Sequence, residues 1–239
     1  MEKRELNIVI TPMQEELDEL LNKIEEKKED NIGDIKGYSF IFDGEEFFVF
    51  ISKIGKVNIG FDLGYISSLV KIKKVYVVGV AGSLKEGIQP LSVVVANKVA
   101  YYDVDIIPEV GDSPYAFGQM AGEELYFIPD EDDLKLIPKL NTTVSIYVGT
   151  IIAGDSFATS KNMSKELLEK FDDPLAVDME DSAVGHACRR LGVPFTIVRG
   201  ISDTVFGSNN GEEYNEYLHL SARRAASVFL HIVCKEFAE

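Results

Sequence analysis

With 239 residues, 46% of them hydrophobic and 27% charged, the chain has ordinary globular composition and enough apolar material for a sizeable core. Its 40 acidic and 24 basic residues leave a formal charge of -16, which repels phosphate backbones and anionic lipid and so argues against nucleic acid or a membrane surface as partner. Cys188 and Cys234 are too few and too far apart for a metal knuckle or a disulfide framework, and neither a secretory apolar region nor a spanning stretch is present, so a cytoplasmic location is expected.

In chain order, residues 6–11 read as a buried strand and residues 13–28 as a helix with Leu17, Leu20, Leu21 and Ile24 on one face. Residues 38–42 and 46–51 resemble a hairpin around Asp43-Gly44, a dipeptide that tolerates positive φ. A helix over 57–70 follows, then the β-branched run 75–80, expected as a central strand buried on both faces, with Ala81-Gly82 at its exit. Residues 91–102 and 143–152 supply more strand material. The stretch between them, 103–142, is largely loop-like, a length that usually covers a pocket or builds an interface. The last clear strand is 195–200 and the closing helix 212–236. The acidic runs 25–30 and 130–133 read as ordinary solvated surface. With no linker, repeat or low-complexity tract, one α/β domain over 1–239 around a mixed sheet is expected.

Ligands in such sheets bind at the carboxyl ends of strands. Gly55-Lys56 is not a phosphate loop, since Phe50 stands where its first glycine is needed and Val57 where its Ser or Thr is needed. His186, His219 and His231 fall in predicted helices without metal-ligand partners, and no serine-nucleophile elbow occurs, so neither a metal nor another cofactor is expected. What remains are carboxylates near strand ends: Glu16, Glu180 and Asp203. On spacing alone Glu16 can be merely favourable at a helix N-terminus, and Asp203 can cap a turn or pair with Arg199.

The blocks 176–187, AVDMEDSAVGHA, and 194–203, PFTIVRGISD, resemble the double signature of the 5'-methylthioadenosine/S-adenosylhomocysteine nucleosidases, within the nucleoside phosphorylase superfamily. IVITPMQEEL at 8–17, IGKV at 54–57, GVAGSL at 79–84 and GTIIAGDSF at 149–157 resemble further family blocks in the same order, so that the similarity spans nearly the whole chain. It implies a three-layer α/β/α sandwich with a central mixed sheet, and a cofactor-free N-glycosyl hydrolase acting on a nucleoside. By the resemblance, Glu16 activates the attacking water and Glu180 holds the ribose hydroxyls, with Met179 against the sugar. Asp203, positioned by Ser202, protonates purine N7, and Arg199 supports the water and the acidic cluster. Phe157 stacks on adenine while the backbone of Ala158 reads its edge. Ile54 and Tyr214 line the 5' pocket, and Val80, Ala81 and Gly82 form the exit of the central strand beside the substrate. A homodimer is also implied, with the partner's loop around 119–122 closing the 5' pocket.

Those roles fit the chemistry. Cleaving an N-glycosidic bond passes through an oxocarbenium-like cation, and adenine leaves poorly until N7 is protonated, which asks for a carboxyl group that keeps its proton near neutral pH. Two departures stand out: Val80 replaces the family's Ser or Thr and cannot hydrogen-bond a water or sugar through its side chain, and 107–117 is longer than the usual equivalent. A phosphorylase of the same superfamily is a rival reading, although a carboxylate in the 11–16 loop would repel phosphate. A hydrolase of aminodeoxyfutalosine and a non-catalytic nucleoside-binding protein stay open, and the residues do not rank methylthioadenosine, S-adenosylhomocysteine and 5'-deoxyadenosine.

Overall fold

A computed structural model describes residues 3–108, 112–140 and 142–234. Nine strands form one mixed sheet: β1 (Glu5–Thr11), β2 (Lys27–Ile32), β3 (Ile35–Phe42), β4 (Glu45–Ile51), β5 (Lys71–Ser83), β6 (Val93–Tyr101), β7 (Ile146–Ala153), β8 (Pro174–Asp178) and β9 (Phe195–Thr204). They lie in the order β2-β3-β4-β1-β5-β8-β7-β6-β9. Because β9 also pairs with β5, the strands β5, β8, β7, β6 and β9 close on themselves, while β2, β3, β4 and β1 form an open wing. Closure removes the free edges at this end, and it brings the ends of four strands around one space.

Helices α1 (Gln14–Leu21) and α6 (Asn210–Val233) cover one side; α2 (Lys56–Leu69) and α5 (Asp181–Leu191) cover the other. Each side has its own core. Leu17, Leu20, Ala225 and Phe229 meet Val9, Val49 and Val78 on one face, while Ile59, Leu63, Val184 and Cys188 meet Ile8, Phe50 and Val77 on the other. Alternation along β1 and β5 sends successive side chains to opposite cores, so both strands are apolar throughout their middles, as expected of strands covered on both faces. The expected α/β/α layering is thus present. No helix of the described residues is long and apolar enough to cross a membrane.

The departures from the sequence reading have local causes. The helix expected over 13–28 stops at Leu21, and residues 27–32 become the charged edge strand β2, paired with β3 across a two-residue turn at Gly33-Asp34 where Gly33 has φ 59°. Cross-strand pairing overrides helical patterning here, and the KKED run, expected as plain solvated surface, lies on a sheet edge where charge discourages further pairing. The β3–β4 hairpin turns at Asp43-Gly44 as expected, both with positive φ. The 103–142 stretch is mostly irregular but carries the short helix α3 (Glu131–Leu134) and a 3-10 turn. Within the run 130–133, Asp130 and Asp133 hold the nearly buried Lys74 at 2.5 and 2.7 Å and so anchor the segment to β5. Another short helix, α4 (Lys165–Leu168), was not anticipated. The closing helix runs from Asn210 to Val233; its expected last residues, 235–236, and residues 109–111 of the long 107–117 segment lie outside the described residues.

Candidate active site

Every residue singled out from the sequence lines one cavity, which contains about 570 Å³ of free space: Glu16, Ile54, Val80, Ala81, Gly82, Phe157, Ala158, Met179, Glu180, Arg199, Ser202, Asp203 and Tyr214. Pro12, Met13, Ser156, Val177 and Asp178 complete the wall. Two of the expected positions differ in kind. Ala81-Gly82 and Ser202-Asp203 are not loops after strands but lie inside β5 and β9, one residue short of their ends, and both strands are longer than the sequence suggested. The parallel pairing shifts register there, from Ala81↔Ile201 to Gly82↔Asp203, so Ser202 is an extra residue that re-aims the aspartate into the cavity. Gly82 makes room for it, since a Cβ at this position would sit 3.1 Å from the Asp203 carboxylate.

At the inner end, Glu16 occupies the first turn of α1 with both oxygens held. The Met13 amide donates to Oε2 at 2.9 Å, closing the helix start, and the Val80 amide donates to Oε1 at 2.8 Å. Arg199, only 1% exposed, lies beside it. Its Nε and Nη2 reach Asp181 at 3.1 and 2.6 Å, Nη2 also meets Asp178 at 2.5 Å and Glu180 at 3.4 Å, and Nη1 donates to the Val80 carbonyl at 3.3 Å, 3.9 Å from Glu16. Asp203 is not its partner. Glu180 is held on its other oxygen by the Gly55 amide at 2.9 Å, which ties the IGKV block to the carboxylate cluster.

Four buried carboxylates around one guanidinium would leave three uncompensated negative charges if all were ionised, so the cluster must retain protons. Burial raises Glu16 and Glu180 to about 7, with Arg199 opposing the shift. Burial likewise raises Asp178 and Asp181 against the same opposing charge.

At the outer end, Asp203 accepts from the Ser202 hydroxyl at 2.7 Å and from the Asn210 amide at the start of α6. Burial, with a smaller push from the charge of Glu213, raises its carboxyl to about 6, while the Ser202 and Asn210 bonds pull the other way. Phe157, half-exposed, stands edge-on to Tyr214 with ring centres 5.5 Å apart at 88°. The Tyr214 hydroxyl rests on the Met13 sulfur at 3.3 Å. The loop carrying Phe157 is pinned from behind: Tyr102 donates to the Ser156 carbonyl at 2.7 Å, and Asp155 receives the Lys56 amide at 2.9 Å. Val80 packs its side chain among Leu218, Ala222, Met13 and Tyr214, while its N–H and C=O do the polar work toward Glu16 and Arg199. Exchanging a hydroxyl for its isopropyl therefore leaves the support of Glu16 intact.

Sequence reasoning missed Asp178, Asp181 and Asn210. The first two were visible as the acidic residues bracketing Glu180 in VDMED, a density of carboxylates that a buried arginine must answer; Asn210 is seven residues from Asp203 and carries no local signal. Among the described residues no group of three or more His, Cys, Asp or Glu is arranged to hold a metal ion.

Residues 7–235 match the family model of the phosphorylase superfamily. A curated relative, the 5'-methylthioadenosine/S-adenosylhomocysteine nucleosidase of Halalkalibacterium halodurans, is 30% identical over 94% of this chain and 96% of its own. Among solved structures, the nucleosidase of Streptococcus pneumoniae bound to the transition-state inhibitor MT-ImmA superposes with a TM-score of 0.86 at 28% identity, covering 96% of this chain and 98% of that one. The Neisseria meningitidis nucleosidase in complex with methylthio-immucillin-A gives 0.85 at 27%, covering 96% and 98%. The chain belongs to the phosphorylase superfamily and, within it, to the 5'-methylthioadenosine/S-adenosylhomocysteine nucleosidases.

Proposed function

We propose that the protein hydrolyses the N-glycosidic bond of 5'-methylthioadenosine and related 5'-thio-substituted adenosines, releasing adenine. The observation that carries this is the pairing of two differently held carboxyl groups in one cavity: Glu16, fixed on both oxygens beside Arg199, and Asp203, pushed up to about 6 by burial and held by Ser202 and Asn210. In this reading Glu16 takes a proton from water, whose oxygen bonds to C1' as the C1'–N9 bond breaks. The electron pair of that bond passes into the adenine ring, and N7 takes the proton of Asp203. Glu180 holds the ribose hydroxyls through the oxygen not committed to Gly55, with Met179 beneath the sugar. Phe157 and Ala158 receive the base, and Ile54, Val80 and Tyr214 form the apolar wall for the 5' substituent. A base near 7 and an acid that is partly protonated at neutral pH suit proton transfer there.

Hydrolysis is favoured over phosphorolysis because Arg199, the arginine in the cavity wall, has Nε and Nη2 committed to carboxylates and Nη1 bonded to the Val80 carbonyl, and the face of Nη1 that is left lies beside Glu16, whose carboxylate repels phosphate. The protein would work in the cytoplasm as a homodimer. The outer face of α2 supports this, since Val57 and Phe61 are 81% and 70% exposed on a helix beside Met120 of the 119–122 loop. The test is product analysis with 5'-methylthioadenosine in phosphate-free buffer. Free adenine with the reducing sugar 5-methylthioribose is expected; release that requires added phosphate, or tight binding without release, would reject hydrolysis.

A further inference from the structure

The reaction proposed above uses Glu16, Glu180 and Arg199 at the ribose end, but it gives no task to Asp181, a fully buried carboxylate at the first position of α5. A helix N-terminus accounts for an acidic residue near its start without further purpose. The contacts of Asp181 go beyond that. Its carboxylate takes Nε and Nη2 of Arg199 as a side-on fork, at 3.1 and 2.6 Å, and its own amide is held by Asp178 at 3.0 Å. A guanidinium gripped on that edge has only Nη1 left, and Nη1 is the nitrogen directed at the Val80 carbonyl and toward Glu16.

Resting on that reading of the site, we propose that Asp181 is a positioning residue for the reaction: it fixes the rotation of Arg199 so that one defined nitrogen faces Glu16. Asp178 and Asp181 meet on the same Nη2 and share a proton between them, so the pair presents one negative charge rather than two to the guanidinium. The cluster's remaining attraction is then directed at Glu16 and Glu180. The groups facing Asp181 are Arg199 of β9, Asp178 of β8, Glu180 between β8 and α5, and Glu16 of α1; Tyr102, after β6, faces Asp178. Burial and Asp178 raise the carboxyl of Asp181, and Arg199 opposes them.

The isosteric Asp181→Asn keeps the shape and removes the shared proton, leaving the pair's one negative charge on Asp178 and only a neutral amide oxygen on the Nε edge of Arg199. Gly79 shows how little slack the cluster has, since a Cβ there would lie 2.4 Å from Glu16 and 2.5 Å from Arg199. In Asp181→Asn, kcat for 5'-methylthioadenosine should fall roughly 10- to 100-fold while the affinity for free adenine, which is received at the other end of the cavity, stays within about twofold. The acid limb of kcat/KM should move to higher pH, because the pair's charge is unchanged while Glu16 loses a guanidinium fixed to face it, the charge that holds its carboxyl down. Asp181→Ser, which leaves room for water in place of the carboxylate, should show the same pH shift with a larger loss of kcat. A change confined to thermal stability, with the pH profile and kcat of the wild type, would overturn the positioning role and leave Asp181 as a helix-start residue. Infrared spectroscopy of the ligand-free protein gives a readout that does not depend on turnover. The wild type should show a protonated-carboxyl band at neutral pH that weakens in both variants, and an unchanged band would reject the shared proton even if adenine release failed in the wild type and the proposed activity with it.

Discussion

The two ends of the cavity use the same chemical group in opposite surroundings. Around Arg199, carboxylates are packed so closely that only a central guanidinium and retained protons make the arrangement tolerable. Four residues of strand later, at Asp203, the carboxyl forms no ion pair among the described residues; a serine and an asparagine hold it instead, in the cavity that the half-exposed Phe157 also lines. Both environments raise carboxyl pKa values, the first against a strong opposing charge and the second almost without one. The difference teaches how one residue type can be prepared for two tasks within one site, and the proposed reaction uses it so: Glu16, fixed on both oxygens beside Arg199, takes a proton from water, and Asp203, raised without a cation to oppose it, gives one to the base.

The sharpest way to break the comparison is to remove each proton-transfer group in turn. Asp203→Asn should lower kcat for 5'-methylthioadenosine about 10²- to 10⁴-fold with adenine affinity nearly retained, and Glu16→Gln should cost a comparable factor, both measured by adenine release. Loss of binding instead of turnover in Asp203→Asn would show that this end only holds the base. Next in size is Gly79→Ala, which keeps every polar group but pushes a methyl between Glu16 and Arg199. It should destabilise the fold by about 1–3 kcal/mol and reduce kcat, as chemical denaturation and steady-state assays would show, because the packed end has no room to yield. Phe157→Ala acts at the open end and should raise KM about tenfold with little change in kcat, a loss of about 1.4 kcal/mol of stacking and burial.

The pH dependence of stability is the smallest effect and follows from the signs of the shifts. Glu16, Asp178, Glu180, Asp181 and Asp203 all titrate higher in the folded protein than their ordinary values of 3.8 to 4.5, so the folded state binds more protons than the unfolded one in the window up to about 8. Their contribution is fully present below the ordinary carboxylate values and is lost as pH rises through the raised ones. Melting temperature should therefore fall from mildly acidic to mildly alkaline pH, and Asp203→Asn should flatten the part of that slope nearest 6. Against the cost of burial, hydrogen bonds from Ser39 and Arg4 lower Asp30 and one from Lys74 lowers Asp130; these two act with the opposite sign at lower pH and are only partly buried.

Much of this site is legible in the sequence. Strand ends carrying Glu16, Glu180 and Asp203 were readable from β-branched runs followed by acidic residues, and the resemblance in VDMEDS and RGISD supplied the grouping that spacing could not. What escaped was whatever depends on chain closure. Pairing of β5 with β9 extends both strands past the points where the apolar runs end, which turns Ala81-Gly82 and Ser202-Asp203 from loop into strand. The edge strand β2 was misread because its residues have helical character and gain their conformation only from β3. Asp178 and Asp181 show along the chain as a density of carboxylates around Glu180, but the arginine that answers them lies 21 and 18 residues away, so the pairing itself carries no local signal.

The most direct test compares two leaving groups. Wild-type protein and Asp203→Asn should be assayed on 5'-methylthioadenosine and on the p-nitrophenyl glycoside of 5-methylthioribose, whose phenolate departs without protonation of a ring nitrogen. If Asp203 is the acid for the purine, the variant should lose its large factor on the nucleoside yet stay within about tenfold of the wild type on the nitrophenyl glycoside. Equal losses on both substrates would contradict it, because the aspartate would then serve the sugar or the fold rather than the departing base.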